Sequence, residues 1–323
     1  MAVDAQLIAW YERLAREFGA LPDASPAARR QRHEDIAGLL ASLQPRDHVG
    51  LRNFHLALPG RTLDARLYHP GGTPALMLFF HGGGWVAGSI HSHDQLCAHI
   101  AASSGVAILS LEYRRAPEHP FPAQNDDAYD ALVWAAAHGD ELACDVTRLA
   151  VGGDSAGGHM AAVTALRARD RKGPAIRFQW LLYPTVEPES GLPSMSEFAA
   201  GPGLTLADMR WYWAQLGTDL NTGGQEVAPS RAPSFVNLPA AYVLTAEGDL
   251  LRDEGERLAD LLMRGGGSVV KQRGAGMTHG FARLYPVCAM AATLINQAAT
   301  ILGEALTPAS NPAGNPAGNN AHA

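Results

Sequence analysis

The chain has 323 residues, 47% hydrophobic and 18% charged, enough core-forming sequence for one large α/β domain with a lid or two ordinary domains, and too polar for a membrane protein. Its formal net charge is −7, and no run of Lys and Arg is present that would neutralise a phosphate backbone, so nucleic acid is excluded as a partner. Cys97, Cys144 and Cys288 are odd in number, scattered and without metal-ligand spacing; they read as reduced thiols, and no metal is expected.

In chain order, Leu7, Trp10, Tyr11, Leu14 and Phe18 recur at helical spacing, without the basic start and continuous apolar stretch of a signal peptide. Together with the reduced thiols this predicts a cytoplasmic protein. A break at Leu21-Pro22-Asp23 separates this helix from a second, for which Ser25 is the cap and Pro26 the first-turn proline. From Val49 to Ala57 and from Leu63 to His69 apolar and polar residues alternate around Pro59-Gly60, which predicts an antiparallel hairpin at a sheet edge.

The pattern then changes to short apolar runs: Ala75 to Phe80, Val106 to Leu111, Leu149 to Val151, Phe178 to Tyr183 and Tyr242 to Thr245. Such runs suit parallel strands buried on both faces, and the segments Asp127 to His138 and Ala156 to Arg169 have helical spacing to cover them. Between Pro184 and Asn237 the alternation lapses into Pro, Gly and Ser-rich sequence around the aromatic segment Leu206 to Leu216, which reads as an insertion after a strand. From Thr307 the chain lacks apolar residues able to offset the entropy of ordering and is expected to be flexible.

Gly153-Asp154-Ser155-Ala156-Gly157 has the form G-x-S-x-G between a strand and a helix, the context of a nucleophile elbow. An ordinary glycine-rich turn can produce the same five residues, so the reading leans on that context and on the rest of the site. His81-Gly82-Gly83-Gly84-Trp85 follows the strand ending at Phe80, and three glycines expose consecutive backbone N–H groups. With the N–H of Ala156 they suit an oxyanion pocket. A serine hydroxyl needs a base, and the base needs an orienting acid. His279, in a glycine-flanked loop after the last strand candidate, is the base. Glu247, Asp249, Asp253 and Glu254 compete as the acid. Asp249 is preferred because it lies where the loop leaves its strand, while Asp253 and Glu254 look like first-turn helix residues.

These motifs, with Tyr113 to Ala123, Asp249 to Gly255 and Gly276 to Phe281, resemble the bacterial hormone-sensitive-lipase family of esterases from about residue 45 to 300. The resemblance implies an α/β-hydrolase fold: a mostly parallel sheet flanked by helices, with a helical cap. It implies cap helices over residues 1–45, a catalytic domain over 46–305 with a cap insertion at about 185–237, and a tail over 306–323. Gly83, Gly84 and Ala156 become the oxyanion donors, His81 braces the glycine loop, and Asp154 is a second supporting residue. Trp85, Met209 and Trp213 are candidates for contacting substrate. Leu250 replaces a family proline after the acid, and Arg115 replaces a leucine.

The expected reaction is hydrolysis of short to medium acyl esters through an acyl-enzyme, with a small-molecule ester as partner, no cofactor and no membrane insertion. By family analogy two copies associate. An amidase or peptidase using the same triad is one rival. A non-catalytic ligand-binding homologue is another, since the plant gibberellin receptors resemble this family but lack the base that His279 supplies here.

Overall fold

The structure, a computed structural model, describes residues 2–20, 25–217 and 219–307. Two helices come first, α1 (Ala5–Phe18) and α2 (Pro26–Leu43). The Asp4 carboxylate accepts the Gln6 N–H at 2.8 Å and Ser25 Oγ accepts the Ala28 N–H at 3.1 Å, so each helix starts on a side-chain cap. The break expected at Leu21-Pro22-Asp23 lies outside the described residues, as does the tail from residue 308.

The hairpin follows: β1 (Gly50–Leu58) pairs antiparallel with β2 (Arg61–His69), Leu58 opposite Arg61. Phe54, Leu56 and Leu58 are buried and their alternate neighbours exposed, the one-sided pattern of a sheet edge. Strand and helix then alternate through β3 (Ala75–Phe80), α3 (Asp94–Ser104), β4 (Ala107–Leu111), α4 (Ala123–Ala137), the short α5 (Gly139–Leu142), β5 (Asp145–Asp154), α6 (Ala156–Asp170) and β6 (Ile176–Leu182). The insertion contributes α7 (Pro193–Glu197), α8 (Leu206–Gln215) and α9 (Gly224–Val227). The chain returns to the sheet with β7 (Ala240–Gly248), α10 (Arg252–Arg264), β8 (Val269–Thr278) and α11 (Ala289–Leu306).

The eight strands lie in the order β1-β2-β4-β3-β5-β6-β7-β8. Strand β2 is antiparallel to both its neighbours and all other pairs are parallel. Every residue of β3 is buried, because successive side chains enter cores on opposite faces. Leu76, Leu78 and Phe80 belong to a core shared with residues of α4, α6 and α10, while Ala75, Met77 and Phe79 belong to a second core shared with residues of α3, α11 and α1.

Strands extend beyond their apolar stretches. Strand β5 continues through Gly152-Gly153-Asp154, and β8 continues to Thr278. Apolarity marks only the part of a strand that is packed on both faces, whereas the ends that carry functional residues are held by backbone pairing: Gly153 to Phe80 and Leu181, Gly248 to Thr278. Cys97, Cys144 and Cys288 are unpaired and buried. Among the described residues no helix is long and apolar enough to cross a membrane.

Candidate active site

Ser155 stands between the end of β5 and the start of α6 with φ +57° and ψ −119°. A non-glycine residue at positive φ is strained and needs its surroundings to hold it. Its N–H donates to the Leu182 carbonyl of β6 at 2.9 Å and its carbonyl accepts the Thr185 N–H at 3.2 Å. Gly157 makes the turn sterically possible, because a Cβ there would overlap the Phe80 carbonyl of β3.

Beyond β8, His279 meets the elbow: its Nε2 lies 2.9 Å from Ser155 Oγ. Its Nδ1 lies 2.7 Å from Asp249 Oδ2, and since a carboxylate only accepts, Nδ1 carries the proton and Nε2 is free to accept the serine O–H. Asp249 follows β7 and is fully buried. Its other oxygen accepts the Leu251 N–H at 2.9 Å, which holds the carboxylate toward the imidazole. The competing acids are engaged elsewhere. Glu247 accepts the Gly276 N–H at 2.9 Å, Asp253 the Ser194 N–H at 2.8 Å, and Glu254 the Val186 N–H at 2.7 Å.

Asp154 ties the elbow to the glycine loop. Its Oδ1 accepts the Gly82 N–H at 2.8 Å and lies 3.2 Å from His93 Nε2. Burial alone would raise its pKa, but His93 and the Gly82 N–H hold it down at about 2. His81 packs its ring on Tyr113 at 4.2 Å, its carbonyl accepts the Tyr113 O–H at 2.9 Å, and its Nδ1 donates to the Gly82 carbonyl at 2.9 Å. Burial pushes its pKa well below the ordinary histidine value, so it is a neutral brace. Gly84 sits at φ +60° with the Tyr212 ring in the space a Cβ would need. Gly83 and Gly84 line the cleft above Ser155. Ala156 opens α6, where a first-turn N–H has no intrahelical acceptor.

The cleft is roofed by the elements at either side of the core. From α1 and α2 come Trp10, Tyr11, His33 and Ile36; from the insertion come Leu204, Met209 and Tyr212. The Tyr11 hydroxyl lies 2.7 Å from Thr278 Oγ1, beside His279. Of the three residues expected to contact substrate, Met209 lines this cleft. Trp85 and Trp213 do not: they are buried against each other with ring centroids 4.5 Å apart, and His159 packs edge-on to Trp85. On α8 the side chains three apart share a face, and sequence could not say that Tyr212 rather than Trp213 fills the place over the glycine loop. Tyr212 belongs to the aromatic segment expected in the insertion, whereas Tyr11, His33 and Arg283 are cleft residues that motif reasoning missed. Arg283 alone carried a signal, lying four residues beyond His279.

Both departures from the family pattern are accommodated. Leu250 is buried in the core, and its carbonyl accepts the Ser194 O–H at 2.9 Å, so the position anchors α7. Arg115 donates to the Gly88 carbonyl at 2.6 Å, just beyond the glycine loop.

A family model described as the α/β-hydrolase fold matches residues 77–283. The esterase LipI of Mycobacterium tuberculosis is 40% identical over 245 residues, covering 72% of this chain and 76% of that protein. The carboxylesterase NlhH of the same species is 38% identical over 236 residues, covering 72% and 74%. Among solved structures, the hyperthermophilic esterase of the archaeon Pyrobaculum calidifontis superposes with a TM-score of 0.89 at 35% identity, covering 94% of this chain and 99% of that one. The mostly parallel sheet, the strand-to-helix elbow and these likenesses agree: the chain belongs to the hormone-sensitive-lipase family of α/β-hydrolase-fold esterases.

Proposed function

We propose that the chain is a carboxylesterase that cleaves short to medium acyl esters, with Ser155 as nucleophile, His279 as general base and Asp249 as the orienting acid. The observation that carries this reading is the continuous relay from Ser155 Oγ through His279 to Asp249, 2.9 Å and then 2.7 Å, on a serine held at positive φ. His279 Nε2 takes the serine proton as Oγ attacks the ester carbonyl, and buried Asp249 stabilises the imidazolium. The developing oxyanion accepts from the N–H groups of Gly83, Gly84 and Ala156, with the start of α6 adding its dipole. His279 then protonates the leaving alcohol, and water repeats the cycle on the acyl-enzyme to release the acid.

Residues 1–45 and the insertion at about 185–237 act as the cap, supported by the cleft walls they supply. The reducing cytoplasm is the proposed compartment, in keeping with three buried free thiols. A homodimer is proposed on family analogy, and sedimentation velocity tests it.

A panel of p-nitrophenyl esters of graded acyl length, with matched anilides and emulsified long-chain triglyceride, tests the substrate class. Each buried CH₂ contributes about 0.8 kcal/mol, so kcat/KM climbs with acyl length until the apolar walls are filled, and the family resemblance puts that limit at roughly four to eight carbons. Best turnover on emulsified triglyceride, or equal turnover of anilides, would overturn the reading.

A further inference from the structure

Arg283 stands in the short helical turn Phe281–Leu284 that follows His279, and it lines the same cleft as Ser155. Its guanidinium is poorly matched. Nη1 lies 3.4 Å from His33 Nδ1 and Nη2 3.4 Å from the His33 carbonyl, both at the outer limit of a hydrogen bond. Nε is shut off from solvent and has no partner among the described residues. His33 is neutral, because burial and the neighbouring Arg283 push its pKa down to about 3, and an imidazole carries no negative charge to offset the guanidinium.

Among the described residues no carboxylate lies within ion-pair distance of Arg283. The acids whose charge reaches it are Asp154, taken by Gly82 and His93, and Glu34, taken by the Ser89 hydroxyl at 2.6 Å and by His91. The chain treats its other enclosed arginines differently. Arg167 donates to Asp126 at 2.8 Å and also to Glu226, and Arg61 donates to Asp127 at 2.6 Å and Asp130 at 2.8 Å. Burial lowers the proton affinity of Arg283, as expected where a cation lacks close compensation. Nη1 and Nη2 each carry a second N–H beyond the contact to His33, and a guanidinium in a cleft wall with one such donor on each Nη can bind a carboxylate through two parallel N–H···O bonds.

We propose that Arg283 makes this cleft selective for esters whose far end carries a carboxylate, which the guanidinium receives while the reacting carbonyl lies at Ser155. The inference rests on the ester-hydrolase reading of the site and adds the substrate class to it. Trp10, Leu14 and Ile36 on the surrounding walls suit a methylene spacer between the two ends.

The test compares kcat/KM for two series with neutral esters of matched length. Methyl hydrogen succinate through suberate place the carboxylate on the acyl side, and butyryl esters of ω-hydroxy acids place it on the alcohol side. In the wild-type enzyme the acidic-to-neutral ratio exceeds one at one spacer length in at least one series. Arg283→Met lowers that ratio about ten- to a hundredfold, mainly through KM, the scale of a hydrogen bond to a charged group. Arg283→Lys, which keeps the charge but loses the fork, retains part of the preference.

A ratio at or below one at every spacer in both series overturns the proposal. So does an Arg283→Met enzyme that loses acidic and neutral turnover alike, since a mere strut to His33 predicts that result. Should the methionine variant not fold, the wild-type ratio and Arg283→Lys decide. Neutral esters turned over by the wild type but not by Ser155→Ala, without acidic preference, refute only this inference, whereas no ester turnover at all refutes it together with the function proposed above.

Discussion

Glu247 lies at the end of β7 and Asp249, Asp253 and Glu254 follow it, and the roles of the last three are distinguishable by what each oxygen touches. Asp249 holds His279, Asp253 caps α7 through the Ser194 N–H, and Glu254 accepts the Val186 N–H at the start of the insertion. Asp249→Asn is expected to lower kcat about ten-thousand-fold, because the amide can present a donor to Nδ1 and stabilise the wrong tautomer. Asp253→Asn keeps an acceptor for Ser194 and lowers kcat far less. Steady-state kinetics on the two folded variants decides it, and a reversed order would move the acid to Asp253. Glu254 has a separate signature. Burial raises its carboxyl from 4.5 to about 8, and its Oε2 has no hydrogen-bond partner among the described residues. The folded state therefore holds this proton more tightly than the unfolded chain, and stability falls as pH rises from about 4.5 to about 8. Glu254→Gln removes this titration while keeping the acceptor for Val186, so the Tm of the variant should gain on the wild type across that window. Parallel Tm profiles by calorimetry would refute a protonated Glu254. The distinction between Asp249 and its neighbours was partly legible in sequence, from the point where a strand ends and a helix begins. The orphaned Glu254 was not, because its partner Val186 lies 68 residues away.

At the scale of elements, α1 and α2 are bound to the catalytic loops rather than merely resting on them. The Asp4 N–H donates to the Gly276 carbonyl at 2.9 Å, Tyr11 meets Thr278 beside His279, and Arg30 donates to the Val86 carbonyl at 2.8 Å beside the glycine loop. Arg29 bonds Asp208 at 2.8 Å and lies 5.0 Å over the Tyr212 ring, which itself fills the place beside Gly84. Removal of residues 1 to about 40 is therefore expected to lower Tm, expose apolar surface and flatten the dependence of kcat/KM on acyl length. Calorimetry and the ester series on the truncated protein check this, and an unchanged length profile would show that these helices do not shape the acyl site. The helices themselves were legible from apolar spacing and from Ser25-Pro26. Which of their residues face the cleft was not, because Leu7 and Trp10 lie on one apolar stripe, yet of the two only Trp10 reaches the cleft, the other being core. The same ambiguity holds on α8, where Tyr212 lines the cleft and Trp213 packs against Trp85.

For the whole molecule, the sheet was readable because strands covered on both faces are apolar at every position, as β3 is, and because the hairpin is apolar at every second one. The glycine-rich ends of β5 and β8 escaped that signal, although they carry the elbow and lead to His279. The order of strands brings these ends together: β5 lies between β3, which leads into the glycine loop, and β6, whose Leu182 carbonyl anchors Ser155. Ligand sites beyond the carboxyl ends of parallel strands follow from that arrangement. One serine at this convergence is expected to carry the hydrolysis. This is tested most directly by titrating the enzyme with a fluorophosphonate, following esterase activity against bound label, and locating the label by peptide mass spectrometry. One equivalent of label on Ser155, with activity lost in proportion, is the predicted result. Label on a different residue, or full activity with Ser155 fully modified, would contradict the account.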